Sequence, residues 1–276
     1  MHLINKLNKI VVTAFAVFVS SVLTSAAQRL PDLQKESLRA PADIKIDGKP
    51  AEWDNKFRAF NKSTEVFYTI ANDDNRLYLT IQADRRNIIN KIINGGVALT
   101  IKKGGKKDRN GASITYPVFK GNDRPSVDFS GADWPGTEAA AVKKATSAMV
   151  LSNLSINSFS RYIRTSGMQG VDTLMFVDNS KGINASAAID IKMALTVEFA
   201  IDLKLPGLSA ADQTKIAYHV QLIAVDQSGI PEIEVVDGTE GLKKDSLQIQ
   251  RPTKTEQYSS SKFNTDFVGE YTLAKE

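Results

Sequence analysis

The stretch Glu65–Gln82, EVFYTIANDDNRLYLTIQ, decides the fold. Two runs rich in β-branched and aromatic residues flank the polar segment Asn72–Arg76. From Leu77 to Gln82 apolar and polar side chains alternate, as in a strand with one buried and one solvated face. Asn and Asp favour turns because their side chains bond to nearby main chain. The stretch predicts a β-hairpin, which must belong to a larger sheet because a lone hairpin is barely stable in water.

The first 27 residues have the order of a secretory signal peptide. Lys6 and Lys9 precede an apolar run over residues 10–19, and the small residues Ser25–Ala27 follow. This order predicts export and cleavage after Ala27. A membrane anchor fits less well, because the run is short and lacks a charged stop on its far side. We expect residues 28–40 to be a mobile lead-in and residues 41–276 to form one domain.

Composition narrows the classes of partner. The chain has 35 Lys and Arg against 31 Asp and Glu, a balance that argues against a nucleic-acid partner. It has no cysteine, which excludes disulfides and a lipid-modified N-terminal cysteine. No second apolar run is long enough to span a membrane. The sequence therefore predicts an exported protein, periplasmic or extracellular, that folds by its apolar core alone; its oligomeric state stays open.

The rest of the chain reads as short strands with few helices. Ile44–Gly48 predicts a strand closed by an Asp-Gly turn, with Trp53 as a core anchor beside it. Helical spacing predicts one helix over Arg86–Ile93 and another over Glu138–Met149. Further strands are predicted at Val97–Ile101, Ser113–Phe119, Thr173–Val177, Ile183–Ile189, Leu195–Leu203, Ala217–Val225 and from Tyr271. This pattern predicts a mostly β fold, a two-sheet antiparallel β-sandwich of immunoglobulin-like architecture with one or two short helices.

Separate stretches suggest a family. Ile44–Lys49 with Glu52 and Trp53, followed by Tyr68–Leu79, resembles the opening of family 9 carbohydrate-binding modules and of the related DOMON-type domains. Leu195–Ile201 is similar to a strand that these modules carry near their C-terminal end. The resemblance implies a two-sheet β-sandwich that binds sugar or, in one branch, haem. Members of the sugar-binding branch clamp a sugar ring between two aromatic side chains.

A carbohydrate site is expected around Trp134. An indole in this glycine- and proline-rich loop, together with Phe129, Asp128 and Arg124, could stack on a sugar and bond its hydroxyls. The alternative is that Trp134 pins a long loop to the sandwich. The predicted function is non-catalytic carbohydrate binding, with a structural or interaction domain and a haem-binding electron-transfer module as alternatives.

Catalytic chemistry finds little support in the sequence. With no cysteine and one histidine beyond the predicted signal peptide, His219, neither a nucleophilic triad nor a zinc site is indicated. Paired carboxylates for glycoside hydrolysis could meet in space, and Glu198 is the best single candidate. A glutamate in a strand is more often the exposed partner of the alternation, however, so we expect Glu198 at the surface.

No cofactor is predicted. A DOMON-type haem would need His219 with Met149, Met168, Met175 or Met193. The alternation of its strand places His219 on the outer face rather than in an apolar pocket. Calcium stays open at the Asp73, Asp74 and Asn75 turn, where hard oxygen donors cluster, although the spacing is not that of an EF-hand.

Overall fold

The computed structural model describes residues 29–103, 111–119, 123–131, 138–213, 215–224 and 263–275. The chain divides into two compact units, Met1–Leu30 and Pro31–Glu276. The strands, helices and contacts below belong to the second unit. The predicted signal peptide and Trp134 lie outside the described residues.

Eleven strands and two helices are present in the described part of the chain. The strands are β1 (Ala59–Asn61), β2 (Val66–Asn72), β3 (Arg76–Ala83), β4 (Val97–Lys102), β5 (Ala112–Val118), β6 (Tyr162–Ser166), β7 (Leu174–Phe176), β8 (Ile183–Ile189), β9 (Leu195–Asp202), β10 (Lys215–Leu222) and β11 (Thr265–Thr272). The helices are α1 (Arg86–Gly95) and α2 (Ala139–Phe159). Short 3₁₀ turns lie at Ala51–Trp53, Phe129–Gly131 and Ala210–Asp212.

The strands form two antiparallel sheets, which confirms the predicted β-sandwich. One sheet has five strands in the order β1-β2-β3-β9-β8, and the other has six in the order β11-β10-β4-β5-β6-β7. Their facing side chains make one hydrophobic core. At its centre the hydroxyl groups of Tyr68 and Tyr218, one from each sheet, lie 3.0 Å apart. The core thus contains a polar contact that joins the two sheets.

The predicted hairpin is confirmed. β2 and β3 pair from Phe67 opposite Gln82 to Asn72 opposite Leu77. Asp73 closes the turn, because its Oδ1 accepts the backbone N–H groups of Asn75 and Arg76, both at 2.7 Å. An Asx turn of this kind follows from residue type alone.

The hairpin differs from the prediction in having both faces buried. Thr69, Tyr78 and Thr80 point away from the inter-sheet core yet are buried. Residues Ile44–Trp53, here called the strap, lie across this outer face. The prediction of a strand at Ile44–Gly48 is wrong. These residues form no strand, because the backbone N–H groups of Asp47 and Gly48 donate to the Glu198 side chain and not to a neighbouring strand. The strap therefore shields polar side chains of the outer face that the sequence alternation alone would predict to be exposed to solvent.

Glycine is required in the Asp-Gly turn of the strap, both by the lack of space for a side chain and by the backbone conformation. Gly48 has φ +80°, and a Cβ there would lie 2.5 Å from the backbone nitrogen of Ala188. Only glycine combines the left-handed conformation with so close an approach.

Trp53 is a buried anchor, as predicted, although it packs outside the inter-sheet core. Its side chain is 8% exposed, and its indole Nε1–H donates to Thr80 Oγ1 at 3.0 Å on the outer face. It thereby holds the C-terminal end of the strap against β3.

The segment predicted as a mobile lead-in, residues 28–40, hydrogen-bonds to the five-stranded sheet at several residues from Pro31 onward. Gln34 is 4% exposed. Its side-chain amide donates to the carbonyl oxygen of Ile70 and accepts the N–H of Ile70, at 2.8 and 2.9 Å. Further along, Asn72 N–H donates to the carbonyl oxygen of Leu38. The segment therefore continues the sheet where the short β1 stops pairing with β2.

The helices agree with the prediction in place and differ in length. α1 is as expected, and the backbone N–H of Gly96 closes its end on the carbonyl oxygen of Ile92. α2 is not short: it runs 21 residues, ten beyond the predicted end at Met149, and its buried side is Ala145, Ala148, Ser152 and Ile156. Of the helices in the described residues, neither is long and apolar enough to cross a membrane.

Trp53→Ala is expected to lower the free energy of unfolding by about 3–5 kcal/mol, because it empties a buried site and removes the bond to Thr80. Trp53→Phe keeps most of the volume and should cost clearly less. Urea unfolding followed by far-UV circular dichroism measures both. A loss below about 1 kcal/mol for Trp53→Ala would contradict burial of the ring.

Gln34→Ala is expected to cost about 1–3 kcal/mol, because it leaves the N–H and C=O of Ile70 buried without a partner. Hydrogen exchange of the Ile70 amide should accelerate in the same variant. Lys35→Ala, at the exposed neighbouring position, serves as the control and should change neither quantity. An unchanged Ile70 exchange rate in Gln34→Ala would indicate that the segment is detached in solution.

Candidate binding cleft on the outer face of the five-stranded sheet

Glu198 lies at the centre of the outer face and under the strap. It stands opposite Thr80 on β3 and Ser186 on β8, so the three side chains point to the same side of the sheet. Its Oε2 accepts the N–H groups of Gly48 at 2.9 Å and Asp47 at 3.1 Å. The prediction of an exposed strand glutamate is wrong, because Glu198 is 0% exposed.

Burial sets the protonation of this carboxyl. Removal from water, with a smaller contribution from the nearby carboxylates of Glu52 and Asp47, raises the pKa of Glu198 to about 7 against the opposing effect of the two N–H bonds. Glu52 Oε2 is itself buried and has no hydrogen-bond partner in the described part of the chain. Glu198 therefore holds the strap to β9. Its carboxyl group with the N–H groups of Asp47 and Gly48 is here called the latch.

An open cleft of about 420 Å³ lies beside this latch. Apolar side chains of the strap, Ile44 and Ile46, form one part of its lining, and Arg76, Asn184 and Ser186 form the sheet side. Val177, Asp178 and Ala185 complete the lining. Ser186 is the cross-strand neighbour of Glu198, and Ile46 precedes the residue that donates to it, so the latch holds two sides of the cleft together.

The polar side chains of the cleft include both hydrogen-bond donors and acceptors. The Arg76 side chain reaches across β9, and its Nη1 donates to Asn184 Oδ1 at 3.3 Å. This contact leaves the Asn184 amide nitrogen and other guanidinium N–H groups able to donate to a ligand. Asp178 is exposed and supplies acceptor oxygens. The cleft thus offers both donors and acceptors next to apolar side chains.

Three of the predicted carbohydrate residues, Phe129, Asp128 and Arg124, lie away from this cleft and make contacts with protein groups. The Arg86 guanidinium lies 4.8 Å from the centroid of the Phe129 ring and covers one of its faces. Asp128 Oδ1 accepts the N–H of Ser130 at 2.8 Å. Arg124 stacks on Phe119 and donates to the carbonyl oxygen of Asn94. Phe129 and Arg124 thus contact α1, and Asp128 bonds within its own turn. Trp134 lies outside the described residues.

The Asp73 turn is held by protein donors. Burial opposes ionisation of Asp73, but hydrogen bonds from Tyr78, Asn75 and Arg76 outweigh it and lower its pKa. Asp74 pairs with Arg39 at 2.7 Å. Among the described residues no group of three or more His, Cys, Asp or Glu side chains is placed to hold a metal ion.

His219 lies on the outer face of its sheet, as the alternation predicts. Its Nε2 is 2.6 Å from Asp266 Oδ2 on the neighbouring strand. The haem alternative stays untested, and the orientation of His219 offers it no support.

Sequence reasoning missed the cleft residues Arg76, Asn184 and Ser186. They lie at the polar positions of strands in which polar and apolar residues alternate. Such a pattern predicts only a face exposed to solvent. The one available signal is Asp47-Gly48, whose glycine marks a close approach of two backbones, but it does not identify Ala188 as the neighbour.

No protein-family model matches the chain, and no curated protein sequence matches it. The resemblance to carbohydrate-binding and DOMON-type domains therefore stays a prediction from the residues quoted above.

Glu198→Gln is expected to change how stability depends on pH. The folded pKa of about 7 lies above the ordinary value of 4.5, so the folded protein binds the extra proton between these values. The stability of the wild type should therefore fall as the pH rises from about 4.5 to about 7, and stay level above it. The substituted amide would not titrate, and its oxygen can still accept the strap N–H groups.

The measurement is the free energy of unfolding in urea at pH 5 and at pH 8. The wild type is expected to lose on the order of 2–3 kcal/mol more than Glu198→Gln between these pH values. Glu36→Gln, at an exposed glutamate, is the control and should follow the wild type. Parallel pH curves for the wild type and Glu198→Gln would show that Glu198 has an ordinary pKa.

Proposed function

We propose that this chain is an exported, non-catalytic binding protein whose ligand is a carbohydrate. The observation that carries the proposal is the lining of the cleft, in which hydrogen-bonding side chains of the sheet face apolar side chains of the strap. The export part rests on the signal-like order of residues 1–27.

The chemistry of the cleft suits a neutral polyol. Each sugar hydroxyl both donates and accepts, so a site must supply both kinds of partner. Arg76 supplies donors, Asp178 acceptors, and Asn184 and Ser186 both. The C–H faces of a sugar ring can pack on Ile44 and Ile46. A volume of about 420 Å³ suits a small ligand such as a mono- or disaccharide.

The non-catalytic part of the proposal rests on the position of Glu198. Glycoside hydrolysis needs two carboxyl groups that flank the bond to be cleaved. Glu198 has the raised pKa of a general acid, but its Oε2 is held by the strap and its side chain has no exposed surface. Asp178, by contrast, is exposed and lines the cleft, but none of the other lining residues carries a carboxyl group.

The test is binding of purified chain starting at residue 28 to a glycan array, followed by calorimetry with the best glycan. Asn184→Ala should weaken binding by about tenfold or more, because it removes a ligand contact and the partner that orients Arg76. Asn75→Ala, an exposed asparagine in the hairpin turn, should bind as the wild type does.

A second variant discriminates between the two sites. If Asp128→Ala abolishes sugar binding and Asn184→Ala does not, the carbohydrate lies on the Phe129 loop instead of the cleft. If the wild type binds no glycan, the carbohydrate proposal fails.

A further inference from the structure

The sheet side of the cleft presents polar groups that are not used within the described part of the chain. The Arg76 guanidinium carries only donors, so it holds the Asn184 amide with Oδ1 toward itself, at 3.3 Å, and with Nδ2 away. Neither Asn184 Nδ2 nor Ser186 Oγ has a hydrogen-bond partner among the described residues. The two residues are two positions apart on β8 and partly exposed, so their side chains face the cleft about 7 Å apart along the strand.

The strap side of the cleft is aliphatic. Ile44 and Ile46 are half-buried and line the cleft, whereas Lys45 between them is exposed. None of the described residues in the lining is aromatic. An aromatic ring offers a flat surface to the face of a sugar ring, but two branched side chains can also contact a methyl group from several sides. The strap therefore offers a place for a small apolar substituent.

The charges of the lining do not favour an ionised substituent. The lining contains one cation, Arg76, and one carboxylate, Asp178. A second carboxylate, Asp202, stands opposite Arg76 on β9 and faces the same side of the sheet. The carboxylate of an acidic sugar would therefore find no excess of positive charge here. The ammonium group of an amino sugar would meet donors at Arg76 and Asn184, which it cannot use because it has no acceptor.

We infer that the cleft recognises the acetamido group of an N-acetylated sugar, an inference that rests on the carbohydrate proposal above. The acetamido carbonyl oxygen is an acceptor for Asn184 Nδ2, and Ser186 Oγ is an acceptor for the acetamido N–H. The methyl group packs against Ile44 and Ile46, on the opposite side of the cleft. A hydroxyl group in the same place would bring no methyl group to the isoleucines, so the cleft distinguishes the two substituents.

The test compares sugars that differ at one substituent. The methyl β-glycosides of N-acetylglucosamine, N-formylglucosamine, glucosamine and glucose are titrated into ¹⁵N-labelled chain starting at residue 28, and NMR shifts give the dissociation constants. The N-acetyl sugar should bind at least tenfold more tightly than the glucoside and the glucosamine. The N-formyl sugar keeps the amide and lacks the methyl group, so it should bind about fourfold more weakly than the N-acetyl sugar, as expected for about 0.8 kcal/mol.

The contact with Asn184 has its own signal. The Asn184 side-chain amide resonances, assigned by their absence in Asn184→Ala, should shift to saturation with the N-acetyl sugar. Asn184→Ala should also lower the ratio of N-acetyl to glucoside affinity toward one, because it removes the donor to the acetamido oxygen.

The contact with the strap is tested by Ile46→Ala. This variant should lower the same affinity ratio by about threefold or more, because it removes apolar surface from the methyl group. A general defect of the strap would weaken both sugars alike and leave the ratio unchanged. Leu174→Ala, at an exposed apolar residue of the six-stranded sheet, is the control and should change neither affinity.

The outcomes separate this inference from the carbohydrate proposal. If the glucoside or the glucosamine binds as tightly as the N-acetyl sugar, or if the N-acetyl sugar binds without shifting the Asn184 resonances, the inference is wrong and carbohydrate binding stands. If Ile46→Ala and Asn184→Ala both leave the affinity ratio unchanged, the acetamido group is not bound in this cleft. If no glycan binds at all, the carbohydrate proposal fails and the inference fails with it.

Discussion

The hydrogen bonds from Asp47 and Gly48 to Glu198 are the interaction on which the outer half of this structure depends. A carboxyl group without solvent exposure is costly unless donors replace its water. The strap supplies two N–H groups, and in doing so it covers Thr80 and brings Trp53 onto β3. The central strands β3 and β9 of the five-stranded sheet are therefore buried on both faces over most of their length. The cleft lies where Ile44 and Ile46 of the strap face Asn184 and Ser186 of β8.

A second constraint is the edge of the same sheet. Every outward N–H and C=O of an edge strand needs water or a partner. In this chain primary amides take that role at three places, with Gln34 on Ile70, Asn153 on Ile189 and Asn179 on Ile183. Such caps end a sheet without adding a strand. Between Asn179 and Asn153 the outward backbone groups of Ala185 and Ala187 have no such cap within the described residues, and both residues are buried.

These contacts explain why the signature residues indicate a fold more strongly than an activity. Gly48 permits the close approach to Ala188, Trp53 anchors the strap, and Asp73 closes the hairpin turn. Each has a structural task that is complete without a ligand. The cleft residues Arg76, Asn184 and Ser186 lie at partly exposed positions of β3 and β8. A resemblance carried by the first group therefore says little about what the second group binds.

The sequence by itself determined the hairpin, the order of most strands, the position of α1 and the two-sheet architecture. These features depend on alternation and turn chemistry, which act over a few residues. Only the tertiary structure decided that Ile44–Gly48 is a strap, that Gln34 completes a sheet edge, and that Glu198 is buried. Alternation shows that a strand has a polar face, but not whether another segment covers it. The partner that covers Glu198 is 150 residues away in the chain, at Gly48, and no local pattern records a contact of that range.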